Sequence, residues 1–355
     1  MNPTPANSTV GELLNAQLAS AEARAAATAA LAEEHEDSPW LIKALTAVGA
    51  WLAMIPLTVF LVAADIVNNA TQALVAGALV LCIAVAVRRS IRPGDFARQF
   101  LLALSMTGQA LMTLSAGSEA DELGAGAIMI ALSAGLFWLY PDALHRFLAV
   151  CVATAGALII THSGTLSYAS EAVVIAIATS TAVVWHYLDA LAGSHWHKIA
   201  MPLAYGLLAS LLAVCAPTLA AEEFAWQARP WLASVGIGVV FLVSSLGIHN
   251  RLNPAAGSLE RLYLVLPCIA LVAALSAAPG VLAAILALSF AFMRAERLAR
   301  NIACTGLAIY LSAYYYQLDT TLLNKSLSLC SAGLLLLGLR VWVSHVLRKE
   351  IAHAD

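Results

Sequence analysis

The amino-acid sequence predicts an all-α protein, a polytopic transmembrane helix bundle of about twelve spans. Three observations carry this. Of the 355 residues, 61% are apolar and only 11% are charged. A soluble domain carries about 25% charged residues and needs them for a polar skin. Apolar stretches close to the ~20 residues that cross a bilayer recur along the chain, separated by short polar breaks. The bases gather in alternate breaks, the pattern expected when every second break faces the cytoplasm.

Residues 1–39 stand apart as a cytoplasmic, partly helical segment. Ser8 and Thr9 can cap a helix, and Glu12 follows Thr9 at capping-box spacing. A helix from Thr9 to Leu31 would be rich in Ala with a thin apolar stripe, so a loosely ordered tail is the other reading. The acidic cluster Glu33, Glu34, Glu36 and Asp37 leads into Ser38-Pro39-Trp40. A basic n-region followed by an apolar h-region is missing here, so a cleaved signal is not expected and the first span should target the chain.

The expected spans are 41–64, 69–87, 98–117, 123–140, 145–162, 170–188, 199–218, 230–248, 261–277, 280–294, 299–317 and 325–344. They form a bundle over 40–347, followed by a short cytoplasmic tail at 348–355. The ninth and tenth spans are short and are separated by Ala277-Ala278-Pro279-Gly280, which is turn chemistry. With the N-terminus inside, sixteen of the eighteen Lys and Arg residues fall on the cytoplasmic side, and only Arg229 and Lys325 fall outside. Merging the two short spans would move Arg294, Arg297 and Arg300 outside. The bias therefore favours two spans and two cytoplasmic termini. Trp138, Tyr140, Trp185 and Tyr187 lie near inner span ends, and Trp226, Trp231 and Tyr314–Tyr316 near outer ones, as in an interfacial aromatic belt.

Enzyme motifs are not found: no Walker loop, no H-E-x-x-H and no G-x-S-x-G. Gly236-Ile237-Gly238 lies in mid-span and does not open a phosphate loop. The six cysteines, Cys82, Cys151, Cys215, Cys268, Cys304 and Cys330, each occupy a different apolar stretch and read as small packing residues. The net charge of −3 comes without a basic stripe, so nucleic acid is not an expected partner. The expectation is a protein that is not an enzyme and holds no metal or cofactor. The lipid bilayer is its first partner.

Four polar residues are candidate intramembrane or interfacial sites. Gln109 lies in mid-span, where its amide needs either a neighbouring helix or a ligand. Glu171 opens the sixth span after the polar run His162, Ser163, Thr165, Ser167 and Ser170, which reads as a wet loop or a solute-binding one. Asp319 and Lys325 flank the last outer turn. A lone base on the acidic side reads as a structural pair with Asp319 or as a gate at the outer mouth. His186, His195 and His197 surround one inner span end with Asp189, and interfacial histidines or a metal site are the two readings. Pro56, Pro202 and Pro267 fall within spans, and Gly124, Gly126, Ala131 and Gly135 suit close helix packing.

The run Tyr314-Tyr315-Tyr316-Gln317-Leu318-Asp319-Thr320-Thr321-Leu322-Leu323-Asn324-Lys325-Ser326-Leu327, with Gly333 to Arg340, Ser38-Pro39-Trp40 and the surroundings of Gln109, resembles the bacterial proteins grouped as domain of unknown function 4401. The resemblance covers the chain from about residue 38 onward. It implies a multi-pass protein of the bacterial inner membrane and brings no catalytic residues. It also implies a partner, a membrane-anchored protein of the GDYxxLxY type. Two functions follow as expectations: a transporter-like protein for a small neutral or amphipathic solute, or a membrane scaffold binding another membrane-anchored protein. Ionisable groups crowd the span ends and avoid the midplane, which argues against ion coupling.

Overall fold

The computed structural model describes residues 69–90, 94–119, 121–162, 169–216, 229–252 and 257–317, with Gly49, Leu52, Pro56, Val59 and Phe60 as isolated helical positions. Segment 1–39, most of the first expected span, the last expected span at 325–344 and the tail lie outside the described residues.

Among the described residues there are ten helices and no strand. They are α1 (Ala70–Ser90), α2 (Asp95–Glu119), α3 (Asp121–Leu139), α4 (Ala143–His162), α5 (Ala169–Tyr187), α6 (His197–Val214), α7 (Pro230–Leu252), α8 (Ser258–Ala274), α9 (Pro279–Met293) and α10 (Arg297–Gln317). Caps fix several starts. Asn69 Oδ1 accepts the Gln72 N–H at 2.9 Å. Asp142 Oδ1 accepts the N–H groups of Leu144 and His145 at 2.9 and 3.3 Å, just after Pro141. Pro279 starts α9, where its missing N–H is not needed.

Six of these helices, α1, α2, α3, α4, α6 and α7, are long and apolar enough to cross a membrane. The expected count of about twelve spans is not reached at this standard. At 1.5 Å per residue, α8 and α9 are about 25 and 22 Å long, short of a ~30 Å hydrocarbon core. Helices α5 and α10 are longer but are not among the six; α10 carries Arg297, Arg300 and Asn301 near its start.

The chain divides into two compact units. Described residues 79–108 belong to the first, which buries Leu81, Ala84, Leu101, Leu102 and Ala103. Residues 69–78 and 109–317 belong to the second. Its helix directions follow from pairs of touching residues. Near one end, Arg229 N donates to Glu171 at the start of α5, and Gly236 meets Ile175. Near the other end, Gly247 lies beside His186. Helices α5 and α7 therefore run parallel. Val272, late in α8, abuts Gly238 early in α7, so α8 runs back. Gly280 of α9 meets the Tyr310 ring late in α10, and Arg294 reaches the carbonyl of Trp185 at the end of α5. The ninth and tenth expected spans are therefore separate helices of opposite direction, with the reversal at 275–278.

One end of this unit collects Arg146, Lys198, Arg251, Arg261, Arg294, Arg297 and Arg300. The opposite end has Glu122, Glu171 and Arg229. Trp138 and Trp196 make an exposed ring pair at the base-rich end, 6.4 Å between centroids.

The core centres on α9. Leu282, Leu286 and Phe290 are buried against Val174 and Ala178 of α5, Leu208 and Leu211 of α6, Ile237 of α7 and Ala303 of α10. Lipid tails are as apolar as these side chains, so dispersion contacts hold such a core together more than escape from water does. Glycines set the closest approaches. A Cβ on Gly126 of α3 would lie 2.6 Å from the Gly156 carbonyl oxygen of α4, and one on Gly156 would lie 2.8 Å from that of Gly126. A Cβ on Gly135 would meet nothing within 4 Å, so this residue does not serve the packing expected of it.

Candidate functional site

A polar cluster lies at the base-rich end, where α5, α6 and α9 meet. The turn from α9 to α10 is tight. Ala295 takes a left-handed conformation with φ of 55°, and Glu296 N–H donates to the Ala291 carbonyl at 3.1 Å. This is a Schellman-type stop with Ala where Gly is usual. Arg294 and Glu296 are thereby presented on either side of the turn. The Arg294 guanidinium pairs with Asp189 at 2.7 Å and donates to the Trp185 carbonyl at 3.3 Å. Glu296 accepts the Tyr205 hydroxyl at 3.2 Å.

Trp185 lies beneath this pair of contacts. Its indole N–H donates to the Ala204 carbonyl at 3.1 Å, and its ring stacks on Phe290 and meets Tyr205 edge-on. The side chain is wholly buried. Trp185 is therefore a packed core residue and not the belt residue expected from its position near a span end. Tyr140 is corrected in the same way, being buried and stacked on His145 with centroids 4.3 Å apart. Span-end position alone does not separate a ring facing lipid from one facing a neighbouring helix. The cluster ties the ends of α5 and α9 to each other and to the middle of α6 by charge-assisted hydrogen bonds.

Gln109 is buried on α2, and its amide Nε2 donates to Ser133 Oγ of α3 at 2.8 Å. Ser133 is likewise buried. The neighbouring turn of α2 is tied to α1 by Ser115, whose hydroxyl donates to the Ala70 carbonyl at 2.7 Å. Glu171 is also buried. Its carboxylate accepts the Arg229 backbone N–H at 3.0 Å and the Ser170 hydroxyl at 2.9 Å. In the first turn of α5 it also faces the positive end of the helix dipole. Gln109 and Glu171 thus sit at separate junctions. Asp319 and Lys325 lie outside the described residues.

His186 lies beside Gly247, and His195 leans on Trp196 at 4.6 Å between ring centroids. Among the described residues, no three His, Cys, Asp or Glu side chains come together as a metal site. The sequence reading missed the pairing of Arg294 with Asp189 and of Glu296 with Tyr205. One signal was available: Asp189 and Arg294 fall in two breaks expected on the same side of the membrane, with opposite charge.

Apolar grooves open between helices on the surface of this unit. One, of about 440 Å³, lies between α5 and α7 beside His186. Another, of about 270 Å³, lies between α7 and α8 beside Cys268. A further one, of about 550 Å³, lies between α6 and α10 beside Asn301 and Tyr310.

Residues 39–346 match the family described as Domain of unknown function (DUF4401), and the chain belongs to that family. The curated proteins and the solved structures contain no match to it.

Proposed function

We propose that this DUF4401 member is a multi-pass protein of a bacterial inner membrane that acts as a scaffold, holding a second membrane-anchored protein. The observation that supports this reading is the filled centre of the second unit. Helix α9 occupies it with Leu282, Ala283, Leu286, Ala287 and Phe290. A side-chain-packed apolar centre suits a rigid support. A solute path between helices needs polar groups that replace hydration along its length. The base-rich end faces the cytoplasm in this reading, with both termini on that side.

The partner is the GDYxxLxY type of membrane-anchored protein that the family resemblance implies. Co-expression of the two chains, extraction in mild detergent and native mass spectrometry provide the test. A stoichiometric complex that survives a salt wash is expected. Two chains that extract and migrate separately would overturn the scaffold.

A second reading, passage of a small neutral or amphipathic solute, draws on the grooves beside His186 and Tyr310, which open on the sides of the helices. It requires a route along the protein surface in place of a central path.

A further inference from the structure

The groove between α5 and α7 has an order along its length that an accidental gap between helices need not have. On α7, Val239, Val243 and Gly247 line it at intervals of four residues, so they form one ridge along the helix. The next position on that ridge is Arg251, which is exposed in the last turn of α7. On α5 the facing wall runs from Thr179 through Val183 to His186 and Tyr187. Thr179 keeps its hydroxyl on the Ile175 carbonyl at 2.8 Å, so it presents an apolar face. Apart from Ser244, the lining is therefore apolar from Thr179 and Val239 up to His186 and Gly247, and a cation stands just beyond.

The dimensions match one leaflet. Residues 179–187 and 239–247 each cover about 12 Å of helix, and half of a ~30 Å hydrocarbon core is about 15 Å. Tyr187 is exposed at the same level as His186, as an interfacial aromatic would be. Arg251 and Asp189 both lie close enough to His186 for their charges to act on it. Asp189 is already engaged by Arg294 at 2.7 Å. That leaves Arg251 as the charge at the groove mouth that an incoming anion meets.

We infer that this groove binds one anionic phospholipid of the leaflet at the base-rich end. An acyl chain lies along Val239, Val243 and Gly247, and the phosphate meets Arg251 and His186. A zwitterionic lipid fits the same apolar channel but gains less from the guanidinium. One basic group near a lipid surface changes affinity about fivefold, so that is the selectivity expected.

Native mass spectrometry of the delipidated full-length protein, titrated with phosphatidylglycerol and with phosphatidylcholine of the same chains, measures it. The wild type should bind phosphatidylglycerol about fivefold more tightly. Arg251→Gln should abolish the preference while keeping the weaker binding of both lipids. Val243→Trp, at an exposed position that can take a larger ring, should fill the groove and weaken both. Arg261→Gln, exposed at the same end but outside the groove, should leave the preference intact. Equal affinity of the wild type for the two lipids would overturn the site. So would a preference that survives Arg251→Gln, affinities that Val243→Trp leaves unchanged, or a preference lost equally with Arg261→Gln.

Discussion

At the scale of single residues, Arg294 and Asp189 illustrate how one ion pair can be unequal. The Arg294 side chain is 12% exposed and that of Asp189 is 76% exposed. Removing Asp189 leaves Arg294 with its bond to the Trp185 carbonyl, and the exposed half of the pair is weakened by solvent. Asp189→Ala should therefore cost less than about 1 kcal/mol. Arg294→Ala removes the guanidinium from both Asp189 and the Trp185 carbonyl and leaves that buried carbonyl without it, so about 1–3 kcal/mol is expected. Thermal unfolding of both variants in mild detergent measures the difference. Equal losses would mean that the carbonyl contact contributes nothing.

The sequence could reach Gln109 because a mid-span amide has few ways to be satisfied, and it could name a neighbouring helix as the partner. It could not name Ser133, because a serine in an apolar helix carries no mark of what it faces. The Arg294 cluster was hidden for another reason. Its partners are about a hundred residues apart, and charges at span ends already have an explanation in water. Residue type and position near a span end were the same for Trp138 and Trp185, yet one ring is exposed and the other is fully enclosed.

At the scale of helices, boundaries were readable to within a few residues, because polar breaks interrupt apolar runs wherever the chain reaches water. The exceptions follow the same physics. Helix α7 was expected to end at 248 but continues through His249, Asn250 and Arg251, since a helix that reaches the interface keeps its backbone bonds after its side chains turn polar. Helix α6 was expected to reach 218 but ends at Val214, before Pro217.

Which glycines matter was not readable, because the helical interior tolerates any of them and only the neighbour decides. This separates Gly126 and Gly156 from Gly135. The two reciprocal glycines allow α3 and α4 to approach until each backbone touches the other. Alanine at either would place a Cβ under 3 Å from a carbonyl oxygen. Gly126→Ala and Gly156→Ala should each cost about 1–3 kcal/mol through overpacking. Gly135→Ala, with open space around it, should be neutral or gain up to about 1 kcal/mol from helix propensity. Denaturation of the three variants under one condition is the check. A loss at Gly135 equal to that at Gly126 would show that close approach is not what these glycines provide. Gly236 and Gly238 extend the point. Two residues apart on α7, they face opposite sides, one receiving Ile175 of α5 and the other Val272 of α8.

At the scale of the whole molecule, charge asymmetry decided what hydropathy could not. Two short apolar stretches on either side of Pro279 read equally well as one kinked segment. Counting bases favoured two, and within the second unit α8 and α9 do run in opposite directions, with α7 packed against both. Hydropathy alone could not tell that α9 is enclosed by protein and the neighbouring helices are not, since lipid and a packed core ask for the same side chains.

The direction reversal makes a prediction that does not depend on the length of either helix. If the base-rich end faces the cytoplasm, an alkaline phosphatase fusion after Ala278 should be active, because α8 carries the chain to the far side. A fusion after Glu296 should be inactive, because α9 brings it back. Fusions after Gly117 and Pro254 calibrate the two sides, the first active and the second not. Green fluorescent protein at the same four points should give the opposite pattern. Inactivity at Ala278 with the other three results unchanged would mean that α8 and α9 turn around inside the bilayer without reaching its far surface. The short α9 would then be a re-entrant element enclosed by protein, a form that a membrane admits only where the backbone is shielded from lipid. Activity at both Ala278 and Glu296 would instead place Arg294, Arg297 and Arg300 on the acidic side and break the charge argument on which the orientation stands.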